Sequence, residues 1–249
     1  MNLKTKSIAL TLFSLFAVNS RAEFKTFPDG SAVPAWFNNV EIPQIDKLGK
    51  KYVVTDLGVI NDSTVIQTPA LQAVIDKAAG EGGGVIVIPE GTFLSGSLFF
   101  KPGTHLHIQK GGKLKGSDAI TNYEIVKTRL EGQTIDYFAA LVNADRCDGF
   151  TISGEGTIDG NGHRFYDEFW LRRKVNRKCT NLEALRPRMA YISNSKDVTV
   201  SGIHMVNSGF WTNHLYNCER IKYLGVTILA PTDGYPKGPS TDAIDLDVC

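Results

Sequence analysis

The sequence predicts an all-β fold, a parallel β-helix carrying an N-terminal capping helix, on three observations. Gly149-Phe150-Thr151-Ile152-Ser153-Gly154 returns as Asp197-Val198-Thr199-Val200-Ser201-Gly202, and more loosely as Arg220-Ile221-Lys222-Tyr223-Leu224-Gly225. Each copy is β-branched or aromatic at period two and closes on glycine, and each is followed at once by a second short strand (Thr157-Ile158, Ile203-His204-Met205, Val226-Thr227-Ile228). Copies recurring at a step of roughly 23 residues signal a stacked repeat, and short strands stack as a parallel β-helix. Residues one coil apart then lie about 4.8 Å from each other.

The elements follow in order. Lys4 and Lys6 precede an apolar run from Ile8 to Val18, and Ser20-Arg21-Ala22 supplies small residues where a signal peptidase reads. Residues 1–22 are therefore expected to be a secretory signal peptide. The run is well short of the roughly 20 residues that span a bilayer. Residues 23–51, with scattered Pro and Asn, read as an arm or wrapping segment. Tyr52-Val53-Val54 reads as a first strand. Thr68 as N-cap with Pro69 after it opens a helix through Leu71, Val74, Ile75 and Ala78, which Gly80 ends. One amphipathic helix ahead of a strand stack suits a cap over its open end.

From Gly82 the strands come quickly: Val85–Ile88, Phe93–Leu94, Leu98–Phe100 and His105–Ile108, separated by Gly, Pro and Lys-Gly turns. Three rows align beyond residue 139. Row one holds Ala140-Leu141-Val142, Ala190-Tyr191-Ile192, His214-Leu215-Tyr216 and Ile244-Asp245-Leu246. Rows two and three are the repeated pairs above. Two insertions, Asp159 to Arg188 and Leu229 to Ser240, both enter row one, which marks it as the face that carries function. The β-helix domain is assigned residues 52–249 and is expected to be incomplete at its C-terminus.

The 249 residues are 42% hydrophobic, enough for a sizeable core. Removing Lys4, Lys6 and Arg21 with the leader reduces 27 basic residues to 24, against 26 acidic ones. Near-neutrality gives no global pull toward nucleic acid or membrane, so recognition of an anion must be local. The mature protein is expected to be a secreted or periplasmic monomer with no membrane insertion. Four cysteines are too few for a disulfide scaffold. Cys218 and Cys249 follow their strands at matching places; a bridge and two unpaired buried thiols both remain open, with the second favoured.

Counting along row one, Asp242 sits above Trp211, which sits above Arg188. A sugar ring stacking on the indole, with the guanidinium meeting a carboxylate, fits that edge. The structural alternative is that Trp211 packs against the insertion and Arg188 pairs with an acid. Asp245 alternates with Asp242 and either supports the site or fills a ladder position. His214, three residues past Trp211, is a candidate substrate contact or a hydrogen-bonded interior histidine. The insertion from His163 to Arg188 reads as a cleft wall attracting carboxylates, or as a charged lid with a buried aromatic stripe. Asn194 and Asn217 suggest an asparagine ladder. His105 and His107 lack companions at ligand spacing, so no metal or cofactor is expected.

Arg186-Pro187-Arg188, Ser201-Gly202-Ile203, Asn207-Ser208, Trp211-Thr212-Asn213-His214 and Ser240-Thr241-Asp242-Ala243-Ile244-Asp245 resemble glycoside hydrolase family 28, the polygalacturonases. Val54-Thr55-Asp56-Leu57-Gly58-Val59, Gly82-Gly83-Gly84-Val85, Pro89-Glu90-Gly91-Thr92-Phe93 and Gly154-Glu155-Gly156-Thr157-Ile158-Asp159-Gly160 follow that family's order. The resemblance implies a right-handed β-helix and an inverting hydrolase of galacturonic-acid-containing pectin. It assigns Asp242 as the carboxylate that positions and activates water. The family's Asn-Thr-Asp begins here with Ser240. Its Asp-Asp pair, one member of which is the general acid, and its Gly-His-Gly and Arg-Ile-Lys motifs do not occur in the sequence. Inversion needs two carboxyl groups about 6.5–9.5 Å apart, so these 249 residues are expected to be inactive by themselves. Two alternatives are a Ca²⁺-dependent pectic lyase, against which the Asp242 motif argues, and a non-catalytic carbohydrate-binding or adhesin-like β-helix.

Overall fold

The structure, a computed structural model, describes residues 25–232 and 238–249. The expected signal peptide lies outside them. The chain divides into two units, 1–39 and 40–249, so the expected arm straddles the division. Within the first, Thr26 and Ala32 form an antiparallel bridge, and Ala35–Asn38 makes one helical turn that buries no residue.

The described part of the second unit is a parallel β-helix of three sheets, every coil after the first contributing a short strand to each sheet in turn. Row two comprises Lys51–Val53, Gly84–Ile88, Thr104–Ile108, Thr151–Gly154, Thr199–Ser201 and Lys222–Leu224. Row three comprises Asp62–Ile66, Gly91–Ser95, Gly112–Gly116, Thr157–Asp159, His204–Val206 and Thr227–Leu229. Row one comprises Leu98–Phe100, Val142–Asp145, Ala190–Ser193, Asn213–Tyr216 and Asp245–Asp247.

Period-two alternation sends every second side chain inward, and the parallel register stacks like positions into columns. In row two the column is Tyr52, Ile86, Leu106, Ile152, Val200 and Tyr223. In row three it is Phe93, Leu114, Ile158, Met205 and Ile228. Most of these side chains are buried in one continuous core, and each fully buried aliphatic contributes roughly 1.5–3 kcal/mol. The glycine closing each repeat has a positive φ (Gly154 114°, Gly202 69°, Gly225 62°). A Cβ on Gly154 would lie 1.9 Å from the Ile108 carbonyl oxygen, so no other residue fits that corner.

The helix spans Thr68–Gly80 and buries Leu71, Val74, Ile75 and Ala78, as its spacing predicts. The cap differs from expectation: Gln67 stands at the N-cap. The Thr68 hydroxyl instead accepts the Gly96 amide at 2.7 Å, serving the neighbouring coil rather than its own helix. Row one is also shifted from the sequence alignment. Val142, not Ala140, faces Ala190; Tyr191 faces His214; and Asp245, not Ile244, faces His214. Slips of one or two residues there escape notice because apolar and polar side chains alternate poorly in this row.

The turns from row one into row two repeat one conformation. Arg146, Asn194, Asn217 and Val248 all take positive φ, between 51° and 58°. Asn217 Nδ2 donates to Asn194 Oδ1 at 2.8 Å, forming the expected ladder. Cys218 and Cys249 are unpaired, and the Cys218 amide points at Cys249 Sγ from 3.4 Å. Burial pushes the Cys218 thiol up to about 11.

Candidate active site

Row one turns aromatic and polar side chains away from the core. The register aligns Phe99, Asn143, Tyr191, His214 and Asp245 in one outward column, and Asp145, Ser193, Tyr216 and Asp247 in the next. The same steps place Arg188, Trp211 and Asp242 in line at the edge where the insertions enter, as the sequence spacing predicts. There the Met189 amide donates to the Trp211 carbonyl and the Thr212 amide to that of Asp242.

An element absent from the sequence reading covers this edge. Ile125–Leu130 and Gln133–Phe138 form an antiparallel hairpin turning at Glu131-Gly132, both with positive φ (49° and 73°). Alternating β-branched residues around a two-residue turn ending in Gly are a legible hairpin signal. Leu130 and Tyr137 pack on Phe210. The Tyr137 hydroxyl donates to the Ala184 carbonyl at 2.7 Å, which bolts the hairpin to the insertion.

Arg188, expected to meet a substrate carboxylate, is instead 1% exposed behind this hairpin. Its Nη1 donates to the Arg129 carbonyl (2.9 Å) and to His214 Nδ1 (2.6 Å), its Nη2 to Thr128 Oγ1 (2.7 Å), and its plane lies 4.2 Å from the Tyr191 centroid. Held by neutral acceptors, it is pushed down by burial to about 10 and stays charged at neutral pH. Arg186, two residues earlier, is equally buried. It lies between the Phe169 and Phe210 rings, 4.5 Å from each, and donates to Asn181 Oδ1 and the Pro239 carbonyl. Arg188 therefore fastens the hairpin to row one, while Arg186 ties the insertion to the segment leading into Asp242.

His214 is likewise interior rather than presented to substrate. Because Nδ1 accepts from Arg188, the proton sits on Nε2, which lies 3.7 Å from Asp247 Oδ2. Burial, then the Arg188 charge, lowers it to about 4 despite Asp247, so it is neutral at physiological pH. Trp211 is half-buried, stacked on Phe210 (centroids 4.9 Å, 17°) and edge-on to His214. The lid helix His163–Val175 buries Phe165, Tyr166 and Phe169 and carries Arg172, Arg173 and Lys174 in its last turn, matching the charged-lid alternative.

Asp242 is exposed, and Asp245 is half-buried. Burial, then the Asp242 and Glu131 charges, raise Asp245 to about 6 against the pull of Arg188. Its Oδ2 is buried with no hydrogen-bond partner among the described residues. Glu131, at the hairpin tip and held by Asn181 Nδ2 at 2.6 Å, is thus a third carboxylate of this corner. Among the described residues no group of three or more His, Cys, Asp or Glu has metal-binding geometry. No helix among them is long and apolar enough to cross a membrane.

Beside this corner a cleft of about 390 Å³ opens on row one. Its floor includes Phe99, Tyr191 and Tyr216, and the hairpin forms one wall.

A three-sheet parallel β-helix with rings, cations and carboxylates gathered on one sheet defines a pectin-lyase-like β-helix protein. The chain belongs to the glycosyl hydrolases family 28, whose model matches residues 84–249. It is 27% identical over 205 residues to the probable polygalacturonase of Vitis vinifera, covering 79% of this chain and 39% of that relative. An exopolygalacturonase of Zea mays is 27% identical over 201 residues, with 80% and 44% covered. The chain thus spans about two-fifths of the length of these curated relatives. The structure of the Yersinia enterocolitica family 28 exopolygalacturonase superposes with a TM-score of 0.66 at 21% identity, covering 79% of this chain and 41% of that one.

Proposed function

We propose that the protein is an exported inverting glycoside hydrolase acting on galacturonic-acid-containing pectic polysaccharide, with Asp242 as a carboxylate that positions and activates water. The observation that carries this reading is family 28 membership across the segment containing Asp242. The surroundings agree. Asp242 is exposed to a substrate, its neighbour Asp245 is shifted toward the protonated form, and Trp211 offers a partly exposed ring one coil away. Crowded carboxylates of this kind separate into proton donor and proton acceptor. The family's Asp-Asp partners are not among these 249 residues, so this chain alone binds substrate without turnover.

The test is oligogalacturonate binding by calorimetry, with product analysis of polygalacturonate incubated with the protein in the presence and absence of EDTA. Binding without new reducing ends, indifferent to EDTA, is expected. A Ca²⁺-dependent unsaturated product would replace the hydrolase with a lyase. Absence of oligogalacturonate binding would remove the pectic substrate. N-terminal sequencing of the mature protein from the producing cell tests export, with a start after Ala22 expected.

A further inference from the structure

The cleft on row one brings several charged side chains together. Its lining includes three cations, Lys127, Arg129 and Arg146, and a single acid, Asp145. Each cation has a carboxylate beside it: Lys127 Nζ lies 3.2 Å from Asp136, Arg129 Nε 2.8 Å from Asp247 and Arg146 Nε 3.7 Å from Asp145, whose Oδ1 also accepts from Ser193 Oγ and Asn194 Nδ2. Recognition of an anion here would rest on the open donors of a positioned cation rather than on an excess of positive charge. The volume lies within the roughly 300–1,000 Å³ typical of small-ligand sites.

Arg129 is the cation held in place. Its Nε donates to Asp247 Oδ2 at 2.8 Å, and its guanidinium lies 5.2 Å from the Tyr216 centroid. Its side chain is about one-quarter exposed. Among the described residues only the Nε edge is engaged, so the Nη1 and Nη2 donors remain for a ligand. Two parallel N–H groups from a fixed guanidinium match the two oxygens of a carboxylate. Tyr191 and Tyr216 line the same cleft; Arg188 covers one face of the first and Arg129 one face of the second, so a pyranose ring would lie on the side each still presents to the cleft while its carboxylate reaches the wall.

We propose that this cleft is a uronate subsite in which Arg129, delivered by the inserted hairpin, reads the substrate carboxylate while Tyr191 and Tyr216 carry the ring. The assignment rests on the pectic-substrate reading above and specifies which residue enforces it. It also gives the Arg129–Asp247 pair a purpose: Asp247 orients the guanidinium without occupying its outer edge.

The experiment measures calorimetric binding of trigalacturonate and of its fully methyl-esterified form to the 249-residue protein and to Arg129→Gln. The wild type should prefer the free acid by about ten- to a hundredfold, the value of one charge-assisted pair of hydrogen bonds. Arg129→Gln should bind acid and ester alike. Should Arg129→Gln fail to fold, the Lys127→Gln/Arg146→Gln variant leaves the Arg129–Asp247 pair intact; it should keep the acid preference and lower affinity only a few-fold. A preference for the acid that survives in folded Arg129→Gln, or that the rim variant abolishes, overturns the Arg129 assignment and leaves the pectic reading standing. A wild type that binds both forms equally overturns the Arg129 assignment and leaves the pectic reading standing; one that binds neither overturns both.

Discussion

Row two and row one run through the same coils and share the same steps along the chain, yet they do different things with their outward faces. Row two turns His105 and His107 outward, and the latter's hydrogen-bond partner among the described residues is Ser153 Oγ, at 2.9 Å, in the next coil. Its loops are short corners, such as the one Gly154 closes. Row one turns outward tyrosines, a neutral histidine and carboxylates, and every long insertion reaches it: the hairpin, the lid helix and the segment before Asp242. The inward columns of both rows hold the stack together, and the inserted segments make one of them a site. Fold and site are thus separable in this molecule, and substitutions should separate them.

The largest effect is expected from the shared core. Ile152→Ala, in the row-two column, removes a fully buried side chain and should cost about 2–5 kcal/mol. It should lower the urea midpoint of the whole stack. Arg188→Ala should cost about 2–4 kcal/mol, because Thr128 Oγ1, the Arg129 carbonyl and His214 Nδ1 lose their donor. Its signature is local, however. Amide exchange should quicken in residues 125–138 and trigalacturonate binding should fall, while row-two amides stay protected. Equal loosening of both rows would erase the distinction drawn here.

The two titrating residues of row one act in opposite directions. His214 is held near 4 against an ordinary 6.5, so the unfolded chain takes the proton first. Its contribution is complete above pH 6.5 and lost as pH falls toward 4. Asp245 is raised to about 6 from 3.8, so its contribution is present below pH 3.8 and lost as pH rises through 6. Asp245→Asn should therefore stabilise the protein at pH 7 and not at pH 4, whereas His214→Asn should flatten the acid-side loss. Urea midpoints between pH 4 and 7.5 check both. The smallest effect concerns the turns. Arg146→Asn puts a residue tolerant of left-handed backbone beside Asn194 and should gain about 0.5 kcal/mol while slightly weakening uronate binding.

The columns were legible because a parallel stack repeats its inward residues: Ile152 to Val200 and Val200 to Tyr223 align in the structure as they do in the sequence. The line of Arg188, Trp211 and Asp242 was legible because its steps of 23 and 31 residues are those of the observed register, although the strand alignment beside it slipped by one or two residues. What Arg188 and His214 face was not. Their surroundings come from the hairpin, a non-repeating segment whose position depends on packing against Phe210 and Ala184 rather than on any local pattern. Arg129, Glu131 and Asp247 went unread because their roles arise where that segment crosses the stack.

The uneven steps between coils also bear on how the chain finds this structure. Asn194 and Asn217 are 23 residues apart, whereas Cys147 and Ser195, one coil earlier, are 48 apart. Closing the longer loop costs about 0.6 kcal/mol more in chain entropy for each doubling of length, before any order imposed on the insertion itself. Folding should therefore begin where the coils are shortest, pairing Gly84–Ile88 with Thr104–Ile108, which are 20 residues apart. The hairpin and lid would dock onto coils already stacked, so the site assembles last. Pulse-labelled hydrogen exchange during refolding would show protection in those two strands before residues 125–138.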